Sequence, residues 1–237
     1  MFETCFIVNF EDASEGEIYK LLEFLDIDKN FIKDKSKDFL AKVLPKAVGK
    51  TLIKYISCCA LNIKLDDIKM EKGPKGKPFL KGFSGFHFNI SHTNWAVIIF
   101  ISKSCVGVDA ERIREINLKI SNKFFCSQEK EFVLRSCDKT SAFFEVWTRK
   151  EAYTKYLGTG IFDTFASVNI LDLKNTCKIK TFRSKELFIS ICKGEDFEFN
   201  VVELSAADMC RIFENFRHEL KKSHIYMDFK RKNKDFN

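Results

Sequence analysis

The run Trp147-Thr148-Arg149-Lys150-Glu151-Ala152-Tyr153-Thr154-Lys155-Tyr156-Leu157-Gly158 dictates the second half of a helix that begins near Ser141. Phe143, Val146, Tyr153 and Leu157 recur at helical spacing, and Gly158 stands where a left-handed C-terminal stop belongs. At 3.6 residues per turn, Trp147, Glu151 and Lys155 lie above one another on one flank, while Lys150 interrupts the apolar stripe between Val146 and Tyr153. Ordinary explanations exist. A Glu four residues before a Lys is the favourable orientation of an exposed helix pair, worth about 0.2–0.5 kcal/mol, and a lysine can lay its stem on a core with its ammonium in water. An ammonium set into an apolar stripe still asks for a reason from the rest of the chain.

A chain of 237 residues makes one large domain or two smaller ones, and 45% apolar residues with 26 Phe are enough for a substantial core. The N-terminus, Met1-Phe2-Glu3-Thr4-Cys5, has no basic region ahead of an apolar one, and the longest apolar run, Trp95 to Ile101, is far too short to span a bilayer. The expectation is a soluble, unprocessed, cytoplasmic protein with no membrane partner. Nine Cys without a Cys-x-x-Cys or a zinc-spaced cluster read as reduced core thiols, with Cys58-Cys59 inside a helix. A net charge of +7 suits phosphate-bearing ligands or an acidic protein partner, and on charge alone nucleic acid stays open.

Residues 2–10 read as a strand, 15–26 and 31–44 as helices, and 46–61 as an amphipathic helix that Pro45 starts or breaks. The loop Lys72-Gly73-Pro74-Lys75-Gly76-Lys77-Pro78 is rich in turn residues and ammonium groups. Residues 86–91 and 95–102 read as antiparallel strands joined at Ser91-His92-Thr93-Asn94, and 106–111 as a further strand. Ser127 is placed to cap a helix with Glu129 in its first turn. Segments 166–171, 177–182, 187–192 and 197–202 suggest a small antiparallel sheet, followed by a helix near 206–220.

Asp109 and Glu111 are two apart on a strand, so both carboxylates leave the same face. Like charges that close raise each other's pKa unless a cation lies between them, and such a group suits Mg²⁺, which takes oxygen ligands and completes its shell with waters and substrate phosphates. Glu151 is a candidate third ligand. The alternative is a solvated strand end beside Arg112 and Arg114. His92, after Asn89-Ile90-Ser91, is either a catalyst or a structural hydrogen bonder, and Lys77 is either a ligand contact or a solvated loop lysine.

Taken in order, Gly76-Lys77-Pro78-Phe79, Phe88-Asn89-Ile90-Ser91-His92, Val106-Gly107-Val108-Asp109-Ala110-Glu111, Phe124-Phe125 with Glu129, and Trp147 through Gly160 closely resemble the 4'-phosphopantetheinyl transferases of the two-domain, surfactin-synthetase type. The resemblance implies an α+β fold, a pseudo-dimer of two similar α/β subdomains (1–103 and 104–220, then a basic tail 221–237) with the active site in the cleft between them, monomeric as a chain. It implies coenzyme A as co-substrate and Mg²⁺ held by Asp109, Glu111 and Glu151. Ser91, His92, Lys150 and Lys155 resemble phosphate or pyrophosphate contacts, and Lys77 resembles the residue beside adenine and ribose. Two departures stand out: Ala110 separates the acids and cannot ligate, and Leu44-Pro45-Lys46-Ala47-Val48 replaces the usual phosphate contact, leaving Lys46 as a substitute and Lys33 as a candidate for the 3'-phosphate. The implied reaction moves 4'-phosphopantetheine to a serine of an apo acyl, peptidyl or aryl carrier protein, with Glu151, or a metal-bound water beside it, as base and Lys155 stabilising or protonating the leaving phosphate. A basic surface near 124–135 is a candidate carrier contact. No nucleic acid is expected from this reading; the alternatives are a Mg²⁺-dependent nuclease and a non-catalytic carrier-binding relative.

Overall fold

The computed structural model describes residues 3–27, 35–159, 165–173 and 176–222. Lys33, Gly160 and the tail beyond Lys222 lie outside them. In chain order the elements are β1 (Thr4–Asn9), α1 (Glu15–Phe24), α2 (Lys37–Leu61), β2 (Met70–Lys72), β3 (Pro78–Leu80), β4 (His87–Thr93), β5 (Ala96–Ser102), β6 (Val106–Arg112), α3 (Ser127–Arg135), α4 (Lys139–Leu157), β7 (Lys178–Ser184), β8 (Leu187–Lys193), β9 (Asn200–Ser205) and α5 (Ala206–Lys222). This is a mixed α+β fold. Strand order is β4-β5-β1-β9 in one sheet, β6-β8-β7 in another, and β2-β3 as a separate pair. Among the described residues no helix is long and apolar enough to cross a membrane.

The chain divides into two compact units, each discontinuous in sequence. The first draws on Met1–Cys5, Glu71–Ser91 and Ile98–Asn200, the second on Phe6–Met70, His92–Val97 and Val201–Asn237.

In the second unit α2 runs unbroken where the sequence suggests two helices meeting at Pro45. Pro45 has no N–H to give the carbonyl of Ala41, and that carbonyl accepts instead from the Trp95 N–H at 3.1 Å, with Trp95 held at φ +62°. The proline is tolerated because its orphaned acceptor finds another donor. α1 is closed by a reciprocal box between Ser14 and Glu17, and packs against α5 through the stacked rings of Phe24 and Phe213.

In the first unit β8 is buried at every position, as a central strand covered on both faces should be. It pairs antiparallel with β6, Asp109 opposite Ser190 and Gly107 opposite Cys192, and with β7 on its other side. The expected four-segment sheet is therefore revised. Residues 166–171 form turns, because the Val168 carbonyl and Ile170 N–H bond to side chains and not to a ladder. The last segment starts later, at Asn200, whose N–H goes to Glu3 O (2.9 Å), and β6 completes the small sheet in its place.

α4 begins two residues earlier than Ser141, because Asp138 caps it by accepting from the Ser141 N–H (2.9 Å), and it ends at Gly158 with φ +69° as expected. α3 is capped differently from the expectation: Glu129 reaches back to the N–H of Cys126 (2.8 Å), which makes Cys126 the cap and Ser127 the first helical residue. All nine cysteines are free thiols; five are buried, while Cys59, Cys105 and Cys137 are exposed.

Candidate active site

α4 lies directly on β6 because of Gly107. A Cβ there would sit 2.0 Å from the Ala152 carbonyl oxygen and 2.3 Å from the Tyr156 nitrogen, so only glycine lets the helix backbone come this close. Gly107, Asp109 and Glu111 share a strand face, and the approach at Gly107 brings Lys155 onto Asp109. The helix is pinned a turn earlier by the Thr148 hydroxyl, 2.8 Å from that of Ser190.

β4 meets the outer edge of β6 through side chains. Asn89 Oδ1 accepts from the Val108 N–H (2.8 Å), and Ser91 Oγ accepts from the Ala110 N–H (3.2 Å). Residues two apart on one strand thus satisfy donors two apart on the next, which gives Asn89-Ile90-Ser91 a structural reason. Ser91 then donates to Asp109 Oδ1 (2.9 Å), and the Lys155 ammonium donates to both Asp109 Oδ1 (2.7 Å) and Ser91 Oγ (3.1 Å).

Asp109 Oδ2 is buried with no hydrogen-bond partner among the described residues. Burial, then the Asp109 carboxylate, push Glu151 up to about 7, with Lys155 pulling the other way and Glu111 adding to the rise. Glu111 is raised chiefly by burial; Arg114, 2.9 Å from its Oε2, opposes that and Asp109 reinforces it. Three acids thus gather around one ammonium, with a buried oxygen left over. As arranged, no group of three or more His, Cys, Asp or Glu side chains among the described residues forms a metal cage. An all-oxygen set with an orphaned acceptor and mutually repelling carboxylates nonetheless fits a hard divalent cation that takes its other ligands from water and phosphate.

Lys150 is placed elsewhere. Its ammonium contacts both oxygens of Glu129 (2.8 Å each) and the Val168 carbonyl (2.7 Å), and the two side chains are 2% and 0% exposed. An ammonium has three donors, and in this arrangement all three are met by protein acceptors within a buried ion pair. The partner, Glu129, is the residue that the sequence reading undervalued. Only the ammonium inside an apolar stripe pointed to a buried acid somewhere.

Lys77 lines a cavity of about 320 Å³ at the C-terminal end of α4, with Phe79, His87, Cys105 and Tyr156 among its walls. The Lys77 ammonium donates to the carbonyls of Val106 (2.8 Å) and Tyr156 (3.4 Å), where the negative end of the helix favours a cation. Leu157, expected on the buried stripe, is 43% exposed and belongs to the same wall. His92 is exposed on β4, and Lys46 is exposed on α2 in the second unit. The geometry therefore joins Ser91, Asp109, Glu111, Glu151 and Lys155, sets Lys77 at a neighbouring cavity, and removes Lys150 to the interior.

Residues 105–205 match the family model described as the 4'-phosphopantetheinyl transferase superfamily, and residues 27–103 match the one described as 4'-phosphopantetheinyl transferase, N-terminal. The chain is 31% identical to the 4'-phosphopantetheinyl transferase gsp of Aneurinibacillus migulanus over 209 residues, 79% of this chain and 87% of that protein. It is 26% identical to the 4'-phosphopantetheinyl transferase Sfp of Bacillus subtilis (strain 168) over 214 residues, 83% of this chain and 94% of that protein. The 4'-phosphopantetheinyl transferase psf-1 of Bacillus pumilus is 31% identical over 147 residues, 61% of this chain and 63% of that protein. Likeness of this extent, with two family models adjoining at residue 104, makes the chain a member of the 4'-phosphopantetheinyl transferase superfamily.

Proposed function

We propose that the protein transfers the 4'-phosphopantetheine group of coenzyme A to a serine hydroxyl of an apo acyl, peptidyl or aryl carrier protein, with Mg²⁺ held by Asp109, Glu111 and Glu151. The observation that carries the reading is the unpartnered, buried Asp109 Oδ2 beside Glu151 and Lys155, on a chain of this family. The serine oxygen attacks the β-phosphorus; the bond from that phosphorus to the bridging oxygen breaks, and adenosine 3',5'-bisphosphate leaves. Glu151 takes the serine proton. Lys155 neutralises the departing phosphate and donates a proton to it. Bound at the carboxylates, the magnesium ion would offset the charge of the pyrophosphate, as phosphoryl transfer requires.

Ser91 holds Asp109 and Lys155 in register through its hydroxyl, and Lys77 with its cavity takes the adenine and ribose end of coenzyme A. His92, Lys46 and Lys33 remain candidate phosphate contacts. For the carrier, α3 offers exposed Phe132 and Leu134 beside Lys130 and Arg135. The subdomain division at 103/104, a monomeric state and a cytoplasmic setting complete the reading, the first supported by the family models meeting there. Intact-mass measurement of an apo carrier after incubation with the protein, coenzyme A and Mg²⁺ tests it: a phosphopantetheine-sized gain is expected, and no gain on any carrier tried would oppose it.

A further inference from the structure

We propose that Glu129 and Lys150 are a positioning pair that sets the roll of α4 and seats residues 165–171 for the transfer, and that Lys150 does not touch coenzyme A. The inference rests on the transferase reading and assigns these two residues a role within it.

Besides binding Lys150, the Glu129 carboxylate accepts from the N–H of Cys126 (2.8 Å) and of Ile170 (2.7 Å). One buried acid therefore ties together the start of α3, the middle of α4 and the 168–170 turn. The rings close the remaining side: Phe165 lies 5.8 Å from the Lys150 ammonium and packs on Trp147 (5.2 Å) and Phe124 (5.8 Å). A phosphate could reach Lys150 only by breaking this network, and it would strand the Glu129 charge in doing so. Glu151 is the next residue along the helix, so a roll at 150 is delivered directly to the carboxylate that faces Asp109. Replacing a buried ion pair by apolar side chains is often neutral for folding, and such pairs are best attested where they fix one arrangement against others. Here the arrangement fixed is the one that points Glu151 and Lys155 at Asp109 while Lys150 points away.

A double-mutant cycle on the full chain separates this from direct binding. Transfer to an apo peptidyl carrier domain would be followed for the wild type, Glu129→Leu, Lys150→Met and the double variant, reading kcat and KM for coenzyme A, with calorimetric coenzyme A binding alongside. Each single variant is expected to lose about 10- to 100-fold in kcat with KM changed less than about threefold, because a misplaced helix slows the step more than it weakens the ligand. The double variant is expected to be no worse than either single one, since neither charge is left alone. Glu129→Gln, which keeps the shape and one acceptor oxygen while its amide nitrogen meets only donors, should fall between and covers the case in which Glu129→Leu fails to fold. Direct phosphate binding gives the opposite order: Lys150→Met raises KM and the coenzyme A dissociation constant about tenfold or more, Glu129→Leu stays near wild type, and the double variant equals Lys150→Met. That order would overturn the pair. A wild-type chain that modifies no carrier would count against the transferase reading alone, and calorimetry on the same variants would still decide whether Lys150 contacts coenzyme A.

Discussion

Two lysines five residues apart on α4 each pair with an acid, and the two pairs end up as opposites. Lys150 and Glu129 form a closed unit, 2% and 0% exposed, in which every ammonium donor and both carboxylate oxygens are used. Lys155 and Asp109 form an open one: the lysine is 28% exposed, and Asp109 keeps a buried oxygen without a partner while two further acids stand nearby. The closed pair resembles a structural joint. The open pair has unspent acceptors and an accessible cation, the condition of a site waiting for charge from outside. One helix thus carries a closed pair and an open pair within two turns, and sequence spacing alone does not say which lysine belongs to which.

The contrast can be broken at several points. Asp109→Asn should give the largest effect, a loss of transfer on the order of 10³-fold with the Mg²⁺ dependence flattened; a wild-type Mg²⁺ titration would remove Asp109 from the ligand set. Lys150→Met should add to its rate loss of about 10- to 100-fold a stability cost of about 3–5 kcal/mol by denaturant unfolding, because Glu129 is left as a lone buried charge. Lys155→Met should cost about 10²-fold in rate and less stability than Lys150→Met, since its ammonium, unlike that of Lys150, is partly in water and screened there, although Asp109 is buried. If the stability costs of the two lysine variants came out equal, the distinction between closed and open pairs would be lost. Gly107→Ala forces α4 away from β6 and should cost about 1–3 kcal/mol with a drop in rate, and a neutral result would mean that the helix can shift without harm. Arg114→Ala, on the exposed side of Glu111, should change stability by less than about 0.5 kcal/mol and rate only slightly.

Much of this was legible locally. The strand ending in Asp109 and Glu111, the helix stopped by Gly158, and the association of Ser91, Asp109, Glu151 and Lys155 follow from spacing and from the family pattern. What was not legible depends on partners distant in the chain. Glu129 lies 21 residues before Lys150, and Ile170 donates to it from 41 residues away. Pro45 reads as a helix boundary until Trp95 supplies the donor for Ala41. β9 looks like a neighbour of β8 by alternation, yet pairing is chosen by non-local register, and Asn200 goes to Glu3. Gly107 appears in the sequence as one residue of a motif; only the helix lying on it reveals what its missing side chain is for.

The most direct measurement is intact-mass spectrometry of a panel of apo carrier proteins incubated with the protein, coenzyme A and Mg²⁺, with an EDTA control. A phosphopantetheine-sized gain on the carrier serine, abolished by EDTA and by Asp109→Asn, is the expected result. A chain that binds coenzyme A but adds nothing to any carrier, or one whose transfer is indifferent to EDTA and to the loss of the Asp109 carboxylate, would contradict the assignment of the open pair as the catalytic centre.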